Sequence, residues 1–222
     1  MGATSQLWWF EHRRRARGDE VDARTARPGA LVAVAGPAMS ARRSLPVRVL
    51  FVCTGNICRS AFGEVCLASR LAGVPGVQVT SAGVMALVDH PFDELMRQQA
   101  ALLGLDGSGH RARQLTGRIL KNADIVLVFG AEHVDWISAS YPEHLERVVA
   151  LGQAAAVLRS QPRRALTRVS DLVRDVRQQR PDPLEEDWIA DPYRQGTEAA
   201  RVAAEQIWDD VEVLARKIEW TD

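Results

Sequence analysis

Hydrophobic and polar residues alternate along most of the chain in blocks that predict strands followed by helices. Four short runs are rich in apolar and β-branched residues, which is typical of buried strands. These runs predict strands at residues 47–53, 77–81, 124–129 and 147–151. Apolar residues at helical spacing predict helices at 61–71, 92–103, 116–121, 132–140, 154–159, 169–179 and 195–218. The last of these is expected to be amphipathic, with apolar positions at Val202, Ile207, Val211, Leu214 and Ile218.

This alternation predicts the fold class. Strands that alternate with helices, and that carry few polar residues, favour a parallel sheet covered by helices on both faces. No internal repeat is visible, and the Pro- and acid-rich stretch 181–186 is expected to be a linker. We therefore expect a single α/β domain at residues 46–222.

Residues 1–45 do not follow this pattern. They contain the aromatic cluster Trp8-Trp9-Phe10 and eight Arg against four acidic residues, an excess of four positive charges. We interpret them as a disordered extension, or as the product of an upstream start codon, with Met39 as an alternative beginning. The apolar stretch 30–39 has some features of a signal-peptide core, but the region before it is long and contains acids. A cytoplasmic protein is the expectation, with secretion as the alternative.

Composition excludes several classes of function. Lys plus Arg and Asp plus Glu each number 28, so the formal net charge is zero. This balance argues against a bulk electrostatic binder of nucleic acid or membranes. No apolar run approaches the roughly 20 residues that span a bilayer.

The three cysteines, Cys53, Cys58 and Cys66, lie within fourteen positions of each other. An odd, clustered set is not a disulfide framework, and it favours a reduced, cytosolic protein. No histidine lies near these cysteines in the sequence, so a zinc site is not expected. Cys66 is expected to lie on the helix that follows these residues and to have a packing role.

One loop carries candidate chemistry. The first predicted strand ends at Cys53, and Arg59 and Ser60 follow six and seven positions later, just before a helix. Backbone N–H groups at a helix N-terminus bind phosphate and stabilise a thiolate. Arg binds two phosphate oxygens at once, and Ser60 can donate a hydrogen bond to sulfur. Cys53 is therefore a candidate nucleophile in a phosphate-binding loop.

Two further loop residues are expected to shape the turn. Gly55 permits backbone angles that other residues avoid, and Asn56 tolerates the left-handed region. The alternative is a buried structural cysteine with Arg59 on the surface. That alternative explains neither the Gly-Asn turn nor the Arg-Ser placement.

The run VLFVCTGNICRS resembles the N-terminal signature of the low-molecular-weight protein tyrosine phosphatase family. Thr80-Ser81-Ala82-Gly83, ADIVLV at 123–128 and Ala190-Asp191-Pro192-Tyr193 also resemble family segments, and the resemblance covers 47–218. It implies a four-stranded parallel sheet in the order 2-1-3-4. It also implies hydrolysis of phosphotyrosine through a phosphocysteine, with no cofactor and no metal.

The resemblance also implies residue roles. Cys53 would be the nucleophile, Arg59 would bind the phosphoryl group, and Asp191 would be the general acid and base. The substrate would also be bound by Tyr193, beside its ring, and by the loop residues Thr54, Gly55, Asn56, Ile57, Cys58 and Ser60. Cys58 would form a reversible disulfide with an oxidised Cys53; the alternative is a small loop residue without a redox role. Asp182-Pro183 is a competing Asp-Pro pair, but the residues after it do not match the family.

This sequence departs from the usual family pattern at several positions. Ala61-Phe62-Gly63 stands where the family usually has Pro-Met-Ala, and Gly63 is expected to weaken the helix by about 1 kcal/mol. Arg194 replaces a second aromatic residue. The segment 152–189 is longer than in compact members and resembles expanded actinobacterial forms; no role is assigned to it.

Two rival functions remain. An arsenate reductase of the same fold would need relay cysteines downstream, and none follows Cys66. A non-catalytic phosphotyrosine-binding protein would usually lack the nucleophile, the arginine or the acid, and all three are present. The expected partners are phosphotyrosine proteins, either a bacterial tyrosine kinase or host proteins. The five histidines are expected to have surface or capping roles.

Overall fold

The four predicted strands form one parallel sheet in a computed structural model of the protein, which describes residues 46–221. The strands are β1 (Val47–Cys53), β2 (Val77–Gly83), β3 (Ile125–Val128) and β4 (Val148–Ala150), in the order β2-β1-β3-β4. In the register of the β1–β2 pair, Cys53 lies beside Gly83. The predicted fold class and strand order are confirmed. The predicted extension at 1–45 lies outside the described residues.

Helices cover both faces of the sheet. Their bounds are α1 (Arg59–Arg70), α2 (Glu94–Leu102), α3 (Gly117–Lys121), α4 (Ala131–Ser140), α5 (Leu151–Ser160), α6 (Leu172–Gln179) and α7 (Gly196–Lys217). Three short 3-10 turns lie at Pro142–Arg147, Val169–Asp171 and Glu185–Asp187. Leu50 and Val52 of β1 pack in one cluster with Leu120 of α3 and Ile137 of α4. Side chains alternate along a strand, so Phe51 faces the opposite side, where α1 lies and where α7 packs against α1, α2 and α5.

Most predicted helices are present with shifted ends. The helix predicted at 92–103 begins at Glu94, because the Asp93 side chain accepts hydrogen bonds from the backbone N–H groups of Leu95 and Met96. Gly104 follows its end with a φ of 75°, as expected for a C-terminal glycine. The helix predicted at 154–159 begins earlier, at Leu151, directly after β4.

The C-terminal part of the chain contains a second small sheet that the sequence patterns did not predict. Thr167–Arg168 and Ile218–Glu219 form a second, two-stranded parallel sheet, β5 and β6. Ile218 therefore belongs to a strand, because the final helix ends at Lys217. Val202 is 39% exposed, so its predicted place on the buried face is wrong.

Cys66 and the four described tryptophans are packing residues. Trp208 and Trp220 are buried, and Trp136 and Trp188 lie partly buried against the core. Cys66 is fully buried in α1, as expected. Within the described part of the chain, no helix is both long and apolar enough to cross a membrane.

Candidate active site

A pocket lies where β1 ends and α1 begins. Cys53 is the last residue of β1 and Arg59 the first residue of α1, and each is 2% exposed. The pocket has a volume of about 150 Å³. It is lined by Cys53, Thr54, Gly55, Ile57, Cys58, Arg59, Met85, Leu87, Asp191 and Tyr193. Of the residues singled out from the sequence, Asn56 and Ser60 lie behind this lining.

Asn56 holds the loop in shape. Its φ is 54°, the left-handed region that the sequence suggested for it. Its side-chain Nδ2 donates to Ser60 Oγ at 2.9 Å and to Ser81 Oγ at 2.8 Å. Its Oδ1 accepts from the backbone N–H of Arg113 at 2.9 Å. The loop is thus tied to α1, to β2 and to the segment before α3.

The glycine that the loop requires is Gly83, not Gly55. The expectation that Gly55 needs unusual backbone angles is wrong, because its φ is not positive and a Cβ there would meet nothing closer than 3.5 Å. A Cβ on Gly83 would lie 2.5 Å from the carbonyl oxygen of Thr54 and 2.9 Å from the Asn56 nitrogen. The end of β2 therefore approaches the loop backbone too closely for any side chain.

Ser60 contacts the candidate nucleophile. The Ser60 Oγ lies 2.9 Å from Cys53 Sγ. Because Asn56 already donates a hydrogen bond into Ser60 Oγ, the hydroxyl proton is available to the sulfur. This arrangement suits a thiolate, which accepts but cannot donate.

Arg59 is buried and held by the segment that carries Asp191. Its Nη1 donates to the carbonyl oxygen of Ile189 at 2.9 Å, and its Nη2 lies 3.1 Å from Asp191 Oδ2. Glu132 is a more distant carboxylate, 3.7 Å from Nη1. Among residues 46–221, the buried Arg59 Nε has no hydrogen-bond partner. A buried charged N–H without a partner is costly, and an oxyanion in the pocket would satisfy it.

Asp191 stands at the mouth of the pocket. Its side chain is 47% exposed, and its Oδ1 accepts from the backbone N–H of Tyr193 at 3.2 Å. The Arg194 guanidinium lies over the Tyr193 ring, 5.0 Å from its centroid. The competing Asp182 does not line the pocket. The structure thus brings Asp191 and Tyr193 to the loop from about 130 positions away.

Two histidines support the loop, although the sequence suggested only surface or capping roles. His133 does cap the start of α4: its Nδ1 accepts from the backbone N–H of Gly130 at 3.0 Å. It is also fully buried, and its Nε2 lies 3.2 Å from Thr54 Oγ1. His110 Nε2 donates to the carbonyl oxygen of Asn56 at 2.6 Å. No local pattern could have revealed the contacts with Thr54 and Asn56, because these two residues are more than 50 positions away from the histidines.

Burial decides the charge of His133. Loss of solvation, and then the positive charge of Arg59, lower the pKa of His133 to about 3, while Asp191 opposes the shift. The ring is therefore neutral near pH 7. Because Nδ1 accepts a hydrogen bond, the proton is on Nε2, which donates towards Thr54.

Cys58 is a buried free thiol in the pocket lining. Burial, followed by the negative charges of Asp93, Cys53 and Asp191, raises the pKa of Cys58 far above its ordinary value. The thiol form is therefore strongly favoured. Within the described residues, no group of three or more His, Cys, Asp or Glu side chains could hold a metal ion.

Comparison with known proteins gives a family match. The model of the family described as low molecular weight phosphotyrosine protein phosphatase matches residues 48–161. A 105-residue stretch is 44% identical to the low molecular weight protein-tyrosine-phosphatase Etp of Escherichia coli K12. The stretch covers 47% of this chain and 69% of Etp.

Solved structures match over more of the chain. The tyrosine phosphatase Wzb of Escherichia coli K30, in complex with sulphate, superposes with a TM-score of 0.60 at 29% identity, covering 78% of this chain and 99% of Wzb. The YwlE arginine phosphatase of Geobacillus stearothermophilus also gives a TM-score of 0.60, at 28% identity, covering 78% of this chain and 92% of YwlE.

Proposed function

The chain belongs to the low molecular weight phosphotyrosine protein phosphatase family, and we propose that it hydrolyses phosphotyrosine in proteins with Cys53 as nucleophile. The observation that carries the proposal is the placement of Cys53 Sγ and the Arg59 guanidinium in one buried pocket. The sulfur has a hydrogen-bond donor in Ser60, and the arginine has a buried Nε without a hydrogen-bond partner among the described residues. A nucleophile next to a buried guanidinium that can bind an anion is suited to attack on a phosphate ester.

In the first step the thiolate of Cys53 attacks phosphorus. The Arg59 guanidinium and the loop amides bind the phosphoryl oxygens, so the phosphate competes with Asp191 for Arg59. The P–O bond to the tyrosine oxygen breaks as the S–P bond forms. Asp191, in its protonated form, gives its proton to the leaving oxygen, which departs as a neutral phenol.

In the second step water completes the hydrolysis. Asp191, now a carboxylate, accepts a proton from a water molecule that attacks phosphorus. The S–P bond breaks, inorganic phosphate leaves, and Cys53 is again a thiolate that Ser60 stabilises by its hydrogen bond. Tyrosine and phosphate are the only products, so the atoms and charges balance without a redox partner.

The pocket walls favour an aromatic ester over phosphoarginine. Ile57, Met85, Leu87 and Tyr193 line the pocket, and these side chains can enclose a flat phenyl ring. Asp191 is the only carboxylate in the lining of the described pocket, and it is paired with Arg59. A polar guanidino group would therefore find few partners in these walls, although a protein of similar fold is an arginine phosphatase.

The test is hydrolysis of two matched peptides, one with phosphotyrosine and one with phosphoarginine. The wild-type chain should release phosphate from the phosphotyrosine peptide. Cys53→Ser should reduce release to background while still binding vanadate, and Cys66→Ala, which changes a buried cysteine outside the pocket, should retain activity. Preference for phosphoarginine would refute the substrate, and turnover by Cys53→Ser would refute the nucleophile. Binding without turnover by the wild type would favour the non-catalytic alternative.

A redox role for Cys58 is also proposed. Peroxide oxidises the Cys53 thiolate to a sulfenic acid, and attack by Cys58 sulfur expels water and forms a disulfide. Both sulfurs line one pocket, which favours the reaction, whereas the raised pKa of Cys58 slows it. Peroxide-treated wild type should recover activity with thiol, and Cys58→Ser should lose activity irreversibly. Equal recovery in the two chains would contradict this role.

The remaining assignments follow from the family and the sequence. We propose residues 46–222 as the catalytic domain, a bacterial cytoplasmic setting, and a tyrosine kinase or host proteins as phosphotyrosine partners. A chain beginning at Met39 should then match the full chain in phosphate release. A large loss of activity in the shortened chain would give residues 1–38 a catalytic role.

A further inference from the structure

Asp187 is a buried carboxylate four positions before Asp191. It is 2% exposed, and its two oxygens accept from Arg180, with Nε at 2.7 Å and Nη2 at 2.9 Å. The same carboxylate accepts from the backbone N–H of Leu184 at 2.7 Å. This bidentate, charge-assisted contact is a strong and directional one. It closes the segment between α6 and the pocket, for which the sequence pattern indicates no role.

The other end of this contact is anchored to the central sheet. The carbonyl oxygen of Arg180 accepts from Gln153 Nε2 at 2.6 Å, and Gln153 Oε1 accepts from the backbone N–H of Ala150, the last residue of β4. Gly152 brings the two segments together, because a Cβ there would lie 2.6 Å from the Asp187 carbonyl oxygen. Asp187 is thereby held against the start of α5.

From Asp187 the chain runs directly to the pocket. Trp188 packs against the core, and the backbone N–H of Ile189 donates to the carbonyl oxygen of Phe129 at 2.9 Å. The Ile189 carbonyl oxygen accepts from Arg59, and Asp191 follows two residues later. The half-exposed Asp191 side chain contacts Arg59 and the backbone N–H of Tyr193, and the position of its backbone is set by the chain before it.

We propose that the Arg180–Asp187 ion pair positions Asp191 for proton transfer to the leaving group, so that Arg180 and Asp187 are positioning residues. The inference rests on the proposed function. A general acid must lie within hydrogen-bond distance of the leaving oxygen, and a misplacement of about 1 Å can cost up to about 10²-fold in rate. Loss of the pair therefore impairs protonation of the leaving group more than attack by Cys53.

The experiment compares two aryl phosphates that differ in leaving group. p-Nitrophenol leaves readily without a proton, whereas phenol needs one. The quantity measured is kcat/KM, which reports the steps up to phosphoryl transfer. The variants are Arg180→Lys, which keeps the charge but loses the bidentate geometry, and Asp187→Asn, which keeps the shape. Arg174→Met is the matched control, because Arg174 lies on α6, which ends just before Arg180, and its partners Asp171 and Asp175 are half-buried and lie outside the pocket lining.

We expect kcat/KM for phenyl phosphate to fall at least about tenfold more than kcat/KM for p-nitrophenyl phosphate in both variants. The control should change neither value. In an Asp191→Asn background the same substitutions should add no further selective loss, because the acid that they position is already absent. Circular dichroism at the assay temperature shows whether each variant is folded. If Arg180→Lys is unfolded, the milder variant Asp187→Asn tests the inference by itself.

Equal losses for the two substrates, or a selective loss that persists in the Asp191→Asn background, would overturn the inference and leave the pair a merely structural contact. The two proposals can fail separately. A wild type that hydrolyses neither aryl phosphate would overturn the proposed function. A wild type that depends on Asp191, with variants that show no leaving-group selectivity, would overturn only this inference.

Discussion

Lowering the pH from 7 to 5 is expected to destabilise the fold through His133. In the folded chain the pKa of His133 is lowered from its ordinary 6.5 to about 3. As the pH falls below 6.5, the unfolded chain takes up a proton that the folded chain does not. The stability that this group contributes is therefore present above pH 6.5 and is lost as the pH falls towards 3.

The size of the effect follows from the shift. Each unit of difference between the folded and unfolded pKa corresponds to about 1.4 kcal/mol, so the loss between pH 7 and pH 5 is about 2 kcal/mol. Against a typical stability of about 5–15 kcal/mol, this is a measurable change. The ring is fully buried, so solvent screening does not reduce it.

The assay is urea denaturation at several pH values for the wild type and for His133→Gln. Glutamine is neutral at every pH, and at the third helical position its side chain can still accept from the Gly130 N–H. The wild type should lose about 2 kcal/mol more than the variant between pH 7 and pH 5. Titration of exposed carboxylates is common to both chains and cancels. Parallel pH profiles in the two chains would refute the reasoning.

The remaining predictions concern glycines. Gly63→Ala places a Cβ 2.8 Å from the buried ring of Phe51, so overpacking of about 1–3 kcal/mol should cancel or exceed the helix-propensity gain of about 1 kcal/mol. Higher stability of Gly63→Ala in urea would contradict this. Gly83→Ala should displace the loop at Thr54 and lower kcat/KM by about tenfold or more, whereas the matched Gly55→Ala should retain most activity. The reverse order of the two activities would contradict the assigned roles of these glycines.

Features that depend on neighbours in the sequence could be predicted without the structure. The apolar run of β1 and the helix that follows it have local patterns, and they bracket the loop from Cys53 to Arg59. Asn56 could be assigned to a left-handed turn because its residue type favours one. The parallel sheet followed from the alternation of strands and helices.

Features that depend on contacts between distant segments required the tertiary structure. The approach of Gly83 to Thr54 and the contact of His133 with Thr54 leave no periodic or local signal, so the sequence pointed to Gly55 instead. The β5–β6 pair is too short to give a pattern. The Arg180–Asp187 pair flanks residues 181–186, whose composition suggested only a linker. In each case tertiary packing brings together residues that are distant in the sequence. The role of a buried polar group, or of a close backbone approach, depends on which groups lie beside it in the folded chain.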